Sequence, residues 1–356
     1  MSSQQHQFYL GSYAEATQAG VYAFTLDDTS GQLTPGWTFS GIVHPSFVAL
    51  HPNKRWLFAV SETSATTEGH SGEVWALDLP AQGIEDQPRQ INHQSSNGDW
   101  PCHLSLDGSG RWLLASNYQG GNVSVFPILE NGSLGKMADN VQHHGHGPNP
   151  KRQEGPHAHS TIFTPDQRFV IVADLGLDQL VIYAFDASNG RLNEHARVRC
   201  QPGSGPRHMV FHPNDRQFYV SHELNNTVVV YDYDAATSTF AERQTLETVP
   251  PDTGENLAAD IHITPTGDRL YISNRGNDSI AVFAVTADGL LEQPKLVPCG
   301  GHWPRQFALA PDGHFLLVAN QYGNTVTVLP LSENAEEPGK PLTHVALPGA
   351  SCIEFA

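Results

Sequence analysis

Apolar and polar positions alternate along most of this chain in short runs broken by turn residues, the pattern of β-strands packed on one or both faces. The runs recur in a fixed order. A β-run leads into a turn of the "HPN" or "TPD" kind, then a hydrophobic strand with a small polar end, then another alternating strand. Six stretches share it: "ALHPNKRWLFAVSE" from residue 49, "LSLDGSGRWLLASNY" from 104, "IFTPDQRFVIVADLG" from 162, "VFHPNDRQFYVSHEL" from 210, "HITPTGDRLYISNRG" from 262 and "ALAPDGHFLLVANQY" from 308. A seventh copy is split, with "FYLGSYAEATQAGVYAFTL" near the start and the orphan strand "ASCIEFA" at the end.

The polar strand ends fall at Ser12, Glu62, Asn117, Asp174, His222, Asn274 and Asn320, spaced 46 to 57 residues apart. That is the period of a propeller blade, and seven copies of about four strands predict an all-β, seven-bladed β-propeller. The reading makes residues 1–356 a single domain, closed where the C-terminal strand joins the N-terminal blade and so removes two free sheet edges. A β-sandwich does not repeat one motif seven times, and a β-helix has a much shorter repeat. The WD signature of regulatory propellers is absent.

Composition changes the picture only by exclusion. A formal net charge of −18 argues against nucleic acid and anionic membranes as partners. No run approaches a membrane-spanning helix, and "MSSQQHQFYLGSY" lacks the basic and apolar regions of a signal peptide. Cys102, Cys200, Cys299 and Cys352 are far apart and show no C-x-x-C spacing, which fits reduced thiols in the cytoplasm. Nothing in the composition fixes an oligomeric state.

In a propeller blade the start of the first strand and the end of the antiparallel second strand meet at one face of the disc, near its axis. Aligned on the turn prolines, Ser46, Cys102, His159, Arg207, Ala259 and Arg305 share one repeat position, and Phe47, His103, Ser160, His208, Asp260 and Gln306 the next. At the end of the second strand, Thr63, Tyr118, Leu175, Glu223, Arg275 and Gln321 correspond. A purely structural repeat would use similar residues in every blade. These differ and are mostly polar, which marks a ligand site assembled from several blades.

The stretches "GPHAHSTIFTPDQRFVIVADLGLDQLVIY", "GSGPRHMVFHPNDRQFYVSHELNNTVVVYDYD" and "ADIHITPTGDRLYISNRGNDSIAVF" resemble the seven-bladed lactonase family, which includes the propeller-type 6-phosphogluconolactonase and the fungal carboxymuconate cyclase. The resemblance runs from "FYLGSY" to the last strand. It implies a site without metal or cofactor, made of His159 in "PHAHS", Arg207 in "GPRH", Glu223 in "SHEL" and Arg275 in "SNRG". His222 departs from the family pattern, which has asparagine before the glutamate.

Chemically, Glu223 suits a general base that activates water, or a partner in an ordinary salt bridge with Arg207 or Arg275. The two arginines suit a clamp on an acidic substrate group and a developing oxyanion. His159 is suited to donate to the ring or carbonyl oxygen. His157, His208, Arg305 and Asn117 are candidates for substrate binding. The histidine-rich loop "QHHGHGPNPKRQEGPHAH" lacks regularly spaced carboxylate or cysteine partners for a metal, so it reads as a flexible lid over the mouth. Asn117, Asp174, Asn274 and Asn320 could form an oxygen ring for Ca²⁺, but hydrogen bonding to adjacent turns is the plainer reading. The sequence thus points to a lactonase for a sugar lactone, 6-phosphogluconolactone foremost. A muconate-type lactonising cycloisomerase and a non-catalytic binding platform are the alternatives.

Overall fold

A computed structural model describes residues 4–66, 69–80, 86–331 and 337–356, and every regular element among them is a strand. The 28 strands form seven four-stranded antiparallel sheets, the blades of a β-propeller. Six blades are continuous in sequence, over 48–95, 101–142, 158–199, 206–247, 257–298 and 304–346. The remaining blade takes its innermost strand, Ala350–Phe355, from the C-terminus and sets it beside Gln5–Ser12, Ala19–Asp27 and Leu33–Ser40. Phe355 packs on Phe8 with ring centroids 5.3 Å apart, and Gln306 of the last blade accepts a hydrogen bond from the Ile353 amide at 2.7 Å. The split copy therefore closes as the repeat predicts.

Contacts along the chain group into two compact units. One comprises the chain through Phe8, Thr25–Thr34 and Arg207–Phe355; the other comprises Tyr9–Phe24 and Pro35–Pro206. The boundaries fall inside strands, at Phe8/Tyr9, Phe24/Thr25, Thr34/Pro35 and Pro206/Arg207, with no linker at any of them.

In the six continuous blades the second strand is buried along its whole length or nearly so; Phe315–Asn320 and Gln217–His222, for example, are buried at all six positions. That is why these runs read as continuous hydrophobic text instead of alternating. Fourth strands such as Thr239–Glu247 are largely exposed and polar, as outer edges are in natural sheets.

The turn between second and third strands carries a repeated device. Its last residue has positive φ: Gly121 at 62°, Asp178 at 53°, Asn226 at 58°, Asp278 at 56° and Asn324 at 52°. Only Gly, Asn and Asp tolerate this conformation readily. The Asp and Asn side chains then accept a backbone N–H from the chain that leads into, or opens, the next first strand. Gly205 donates to Asp178 at 2.8 Å, Ala258 to Asn226 at 3.0 Å, Trp303 to Asp278 at 2.8 Å and Gly349 to Asn324 at 2.8 Å. The turn chemistry of one blade thus fixes where the next blade's first strand begins.

Candidate functional site

The first strands carry an irregularity that the repeat alone did not show. In three blades the ladder skips one residue, between Pro101 and His103, Ala158 and Ser160, and Pro304 and Gln306; in the sixth it skips two, between Ala258 and Ile261. The skipped residues are Cys102, His159, Arg305 and the pair Ala259–Asp260. A bulge re-aims a side chain out of the pleat. In these four blades the variable repeat position singled out in the sequence is therefore a bulge position, set apart from the ladder that holds its neighbours.

In the unit that begins at Arg207, three of the expected residues come together. Arg207 Nε lies 3.1 Å and Arg275 Nη2 2.6 Å from the same carboxylate oxygen, Oε2 of Glu223. All three are buried, at 2%, 4% and 2% exposure respectively. Arg275 also donates to the Ala258 carbonyl at 3.2 Å, and its guanidinium sits 5.8 Å from the Trp303 ring. Gly276 follows with φ +110°, and a side chain there would meet the Glu255 carbonyl at 2.3 Å, so the glycine of "SNRG" permits the turn that leaves Arg275 in place.

Two buried guanidiniums share one carboxylate oxygen here. Burial, with the Arg275 charge beside it and against the pull of Glu223, pushes Arg207 down to about 9, still protonated at neutral pH. Arg305, half-buried, adds to the positive field at Arg207.

His208 is the next residue, and it faces a partner that sequence reasoning gave no role. Its Nδ1 lies 2.7 Å from Asp260 Oδ1, and Asp260 Oδ2 lies 2.9 Å from His262 Nε2. The Phe307 amide also donates to Asp260, at 3.3 Å. Burial alone would lift the Asp260 carboxyl, but His262 and His208 hold it well below the ordinary carboxylate range. Burial also works against His262, yet Asp260 keeps that imidazole above its usual value. His208 is pushed down to about 4 by burial and by the Arg207 charge, so it is neutral at pH 7. The signal for Asp260 was present in the alignment, an acid at the position where other blades carry Phe, His, Ser or Gln.

Trp303 was also missed. It stacks on Tyr322 with centroids 5.0 Å apart and an interplanar angle of 29°, and Tyr322 is 58% exposed. The pair forms an aromatic wall beside Arg275.

His157 and His159 lie in the other unit, grouped around Tyr118. His157 stacks on that ring at 4.5 Å, its Nδ1 lies 3.0 Å from the Tyr118 carbonyl, and its Nε2 is 3.4 Å from Glu154. His159 meets the ring edge-on at 5.5 Å, and the Cys102 thiol donates to its carbonyl at 3.2 Å. Arg152 reaches the Tyr118 hydroxyl at 3.2 Å.

Several expectations need correction. The register in the second blade pairs Ser61 with Glu73 as Asn117 pairs with Asn122 elsewhere, so the polar strand end is Ser61 and the counterpart of Glu223 is Glu62, not Thr63. Glu62 accepts hydrogen bonds from Tyr13, at 2.8 Å, and from the Ser46 hydroxyl, so the contact between these two repeat positions recurs. Asn117 is fully buried and its amide nitrogen is directed to the Ser96 and Asn122 carbonyls and the Ser124 hydroxyl, which makes it a brace for its turn rather than a substrate ligand. Its counterparts behave alike: Asn274 donates to the Thr248 carbonyl, Asn320 to the Thr327 hydroxyl, and Asp174 pairs with His143 at 2.6 Å. The loop read as a flexible lid is anchored instead. His143 is tied to Asp174, and the buried amide of Gln153 bonds the Leu175 carbonyl at 2.8 Å and Asp178 at 2.7 Å.

Comparison with known proteins agrees with this architecture. A family model described as "Lactonase, 7-bladed beta-propeller" matches residues 7–355. A 6-phosphogluconolactonase of Bacillus subtilis is 35% identical over 354 residues, covering 98% of this chain and 97% of that protein. Among solved structures, a Lactobacillus plantarum protein is 32% identical with a TM-score of 0.91, covering 99% of this chain and 100% of the other. The periplasmic gluconolactonase of Pseudomonas aeruginosa is 28% identical with a TM-score of 0.93, covering 99% of both. With the strand order, the repeat and a match over nearly its whole length in agreement, the chain belongs to the lactonase family of seven-bladed β-propellers.

Proposed function

We propose that this protein hydrolyses an anionic sugar lactone, 6-phospho-D-glucono-1,5-lactone foremost, at the Arg207–Glu223–Arg275 cluster. The observation that carries the reading is the convergence of two buried guanidiniums on one carboxylate oxygen. A phosphate or a carboxylate is the group that planar arginine donors fit best. The Trp303–Tyr322 wall supports a ring-shaped substrate, since an aromatic face packs well against the apolar face of a sugar.

In the reaction, water adds to the lactone carbonyl carbon as Glu223 takes its proton. The arginines stabilise the oxyanion that forms on the carbonyl oxygen. The tetrahedral intermediate then collapses, the ring C–O bond breaks, and the proton passes from Glu223 to the departing alkoxide, leaving an alcohol and a carboxylic acid that ionises and releases its proton to water. His208 is held neutral by burial and oriented by Asp260, which suits a hydrogen-bond partner better than a fixed charge. His159 remains a proposed donor, tested separately by His159→Gln. The names of the Bacillus subtilis and Pseudomonas aeruginosa relatives support a gluconolactone substrate. The four buried cysteine thiols, in no disulfide, fit a cytoplasmic setting.

The test is a substrate screen of the purified chain on 6-phosphogluconolactone, glucono-1,5-lactone and muconolactone, each corrected for spontaneous opening. A kcat/KM at least tenfold higher for the phosphorylated lactone is expected. Preference for muconolactone would move the assignment to the cycloisomerase reading, and no turnover of any lactone would leave a binding platform.

A further inference from the structure

We propose that His6, Asp28 and Asp312 form a binding site for a divalent transition metal ion of the Zn²⁺ class, one that fastens the first blade to the last. One potential ligand atom of each residue lies within 4.8 Å of those of the other two, and among the described residues no other set of three His, Cys, Asp or Glu side chains meets this spacing. The three come from remote points of the sequence: His6 from Gln5–Ser12, Asp28 from the turn before Leu33–Ser40, and Asp312 from the turn before Phe315–Asn320.

The geometry is already close to a coordination sphere. His6 Nε2 is 3.1 Å from Asp312 Oδ2. Ligands of a tetrahedral ion bound at about 2.0–2.1 Å stand about 3.3 Å apart. His314 Nδ1 lies 3.8 Å from the same Asp312 oxygen, outside the set of three. Both carboxylates are oriented by bonds of their own. Asp312 Oδ1 accepts the His314 amide at 2.8 Å, and Asp28 Oδ1 accepts the Gln4 amide at 2.9 Å and the Thr29 hydroxyl at 3.0 Å. Such outer partners are what hold ligands ready in established metal sites. The plain alternative is a His6–Asp312 ion pair. It accounts for two of the groups but not for a second carboxylate brought alongside, where two like charges face one imidazole. A divalent cation resolves that repulsion, and the side chains of His6 and Asp312 are only 12% and 15% exposed, which limits competition from water.

The site spans the seam at which the ring closes, where Thr343 also donates to the Gly31 carbonyl at 3.1 Å. An ion there would act on folding, since it binds the closed ring and not the unfolded chain. The site stands apart from the proposed lactonase chemistry, which has no step at these residues.

The experiment uses the full chain, stripped with EDTA and desalted, and follows thermal unfolding with Zn²⁺ or Ca²⁺ added. Zn²⁺ at about a hundredfold over its Kd is expected to raise Tm by about 4 °C for a chain of this length. Ca²⁺, which needs six or more oxygen ligands, is expected to give no rise. Titration against a chromophoric chelator should find one tight Zn²⁺ per chain. His6→Gln and Asp312→Asn, made separately, should each abolish both signals while leaving lactone turnover at the parent rate. No rise in the parent protein, or a rise or stoichiometry that survives both substitutions because the ion sits elsewhere, such as on the histidines of 143–159, would overturn the proposal.

Discussion

Replacing Glu223 by Gln keeps the side-chain shape and one hydrogen-bond acceptor but removes the only carboxylate between Arg207 and Arg275. Two effects follow, and the structure separates their sizes. Turnover loses its base, for which a fall in kcat of about 10²- to 10⁴-fold is expected. Stability also falls, because two guanidiniums at 2% and 4% exposure lose the carboxylate they share. Breaking a buried pair costs about 3–5 kcal/mol. An unfolding entropy of about 2.1 cal/mol/K per residue gives this 356-residue chain about 0.75 kcal/mol/K, so Tm should drop by about 4–7 °C. The retained amide oxygen places the result at the lower end. Lactone opening is read by proton release with an indicator dye in stopped flow, and unfolding by calorimetry on the same preparation. A variant that keeps kcat within threefold of the parent refutes Glu223 as the base. One that loses its fold at room temperature shows that the carboxylate is mainly structural.

Arg275→Lys keeps the charge but not the planar fork that reaches Glu223 and Ala258 and lies near Trp303; KM should rise about tenfold or more with a smaller change in kcat, and an unchanged KM would count against a substrate clamp. His222 is buried and pushed down to about 3 by that burial alone, so the unfolded chain takes up a proton below pH 6.5 that the folded chain refuses. Stability is therefore full above about pH 6.5 and falls as the pH drops towards 3, by up to about 1.4 kcal/mol per pH unit for this residue. His222→Asn, the residue found at this point in three other blades, should flatten that acid limb in denaturant melts at pH 4 to 7; an unchanged slope would contradict it. Deleting Ser351–Ala356 removes the innermost strand of the first blade, with Cys352 and Ile353 both 1% exposed, and should lower Tm by more than 5 °C in one cooperative transition; melting like the full chain would refute closure. Turnover should persist in EDTA, since no step of the proposed chemistry uses a metal, and loss of activity restored by Zn²⁺ would reject that scheme.

The repeat made the blades legible because each must bury the same surfaces. A buried second strand such as Phe315–Asn320 can only read as continuous hydrophobic text, and its spacing from the next copy is set by four strands and their turns. The ends of those strands were legible too, since Arg207, Glu223 and Arg275 break a pattern that packing alone would have kept uniform. What the sequence could not supply was register. Glu62 was taken one residue out of place because a one-residue slip is invisible until Ser61 is seen paired with Glu73. Nor could it show the bulges at Cys102, His159 and Arg305, whose outward aim comes from a skipped ladder bond and not from residue type. Asn117 was a candidate for substrate binding, and its burial against turn carbonyls showed it to be a brace, the role that turn hydrogen bonding already suggested for its counterparts such as Asp174. Asp260 beside His208, Trp303 beside Arg275, and His6 beside Asp312 join residues 28 to 306 positions apart. Such pairs are decided by how strands from different blades meet, and a contact across that distance leaves no periodic trace in the chain.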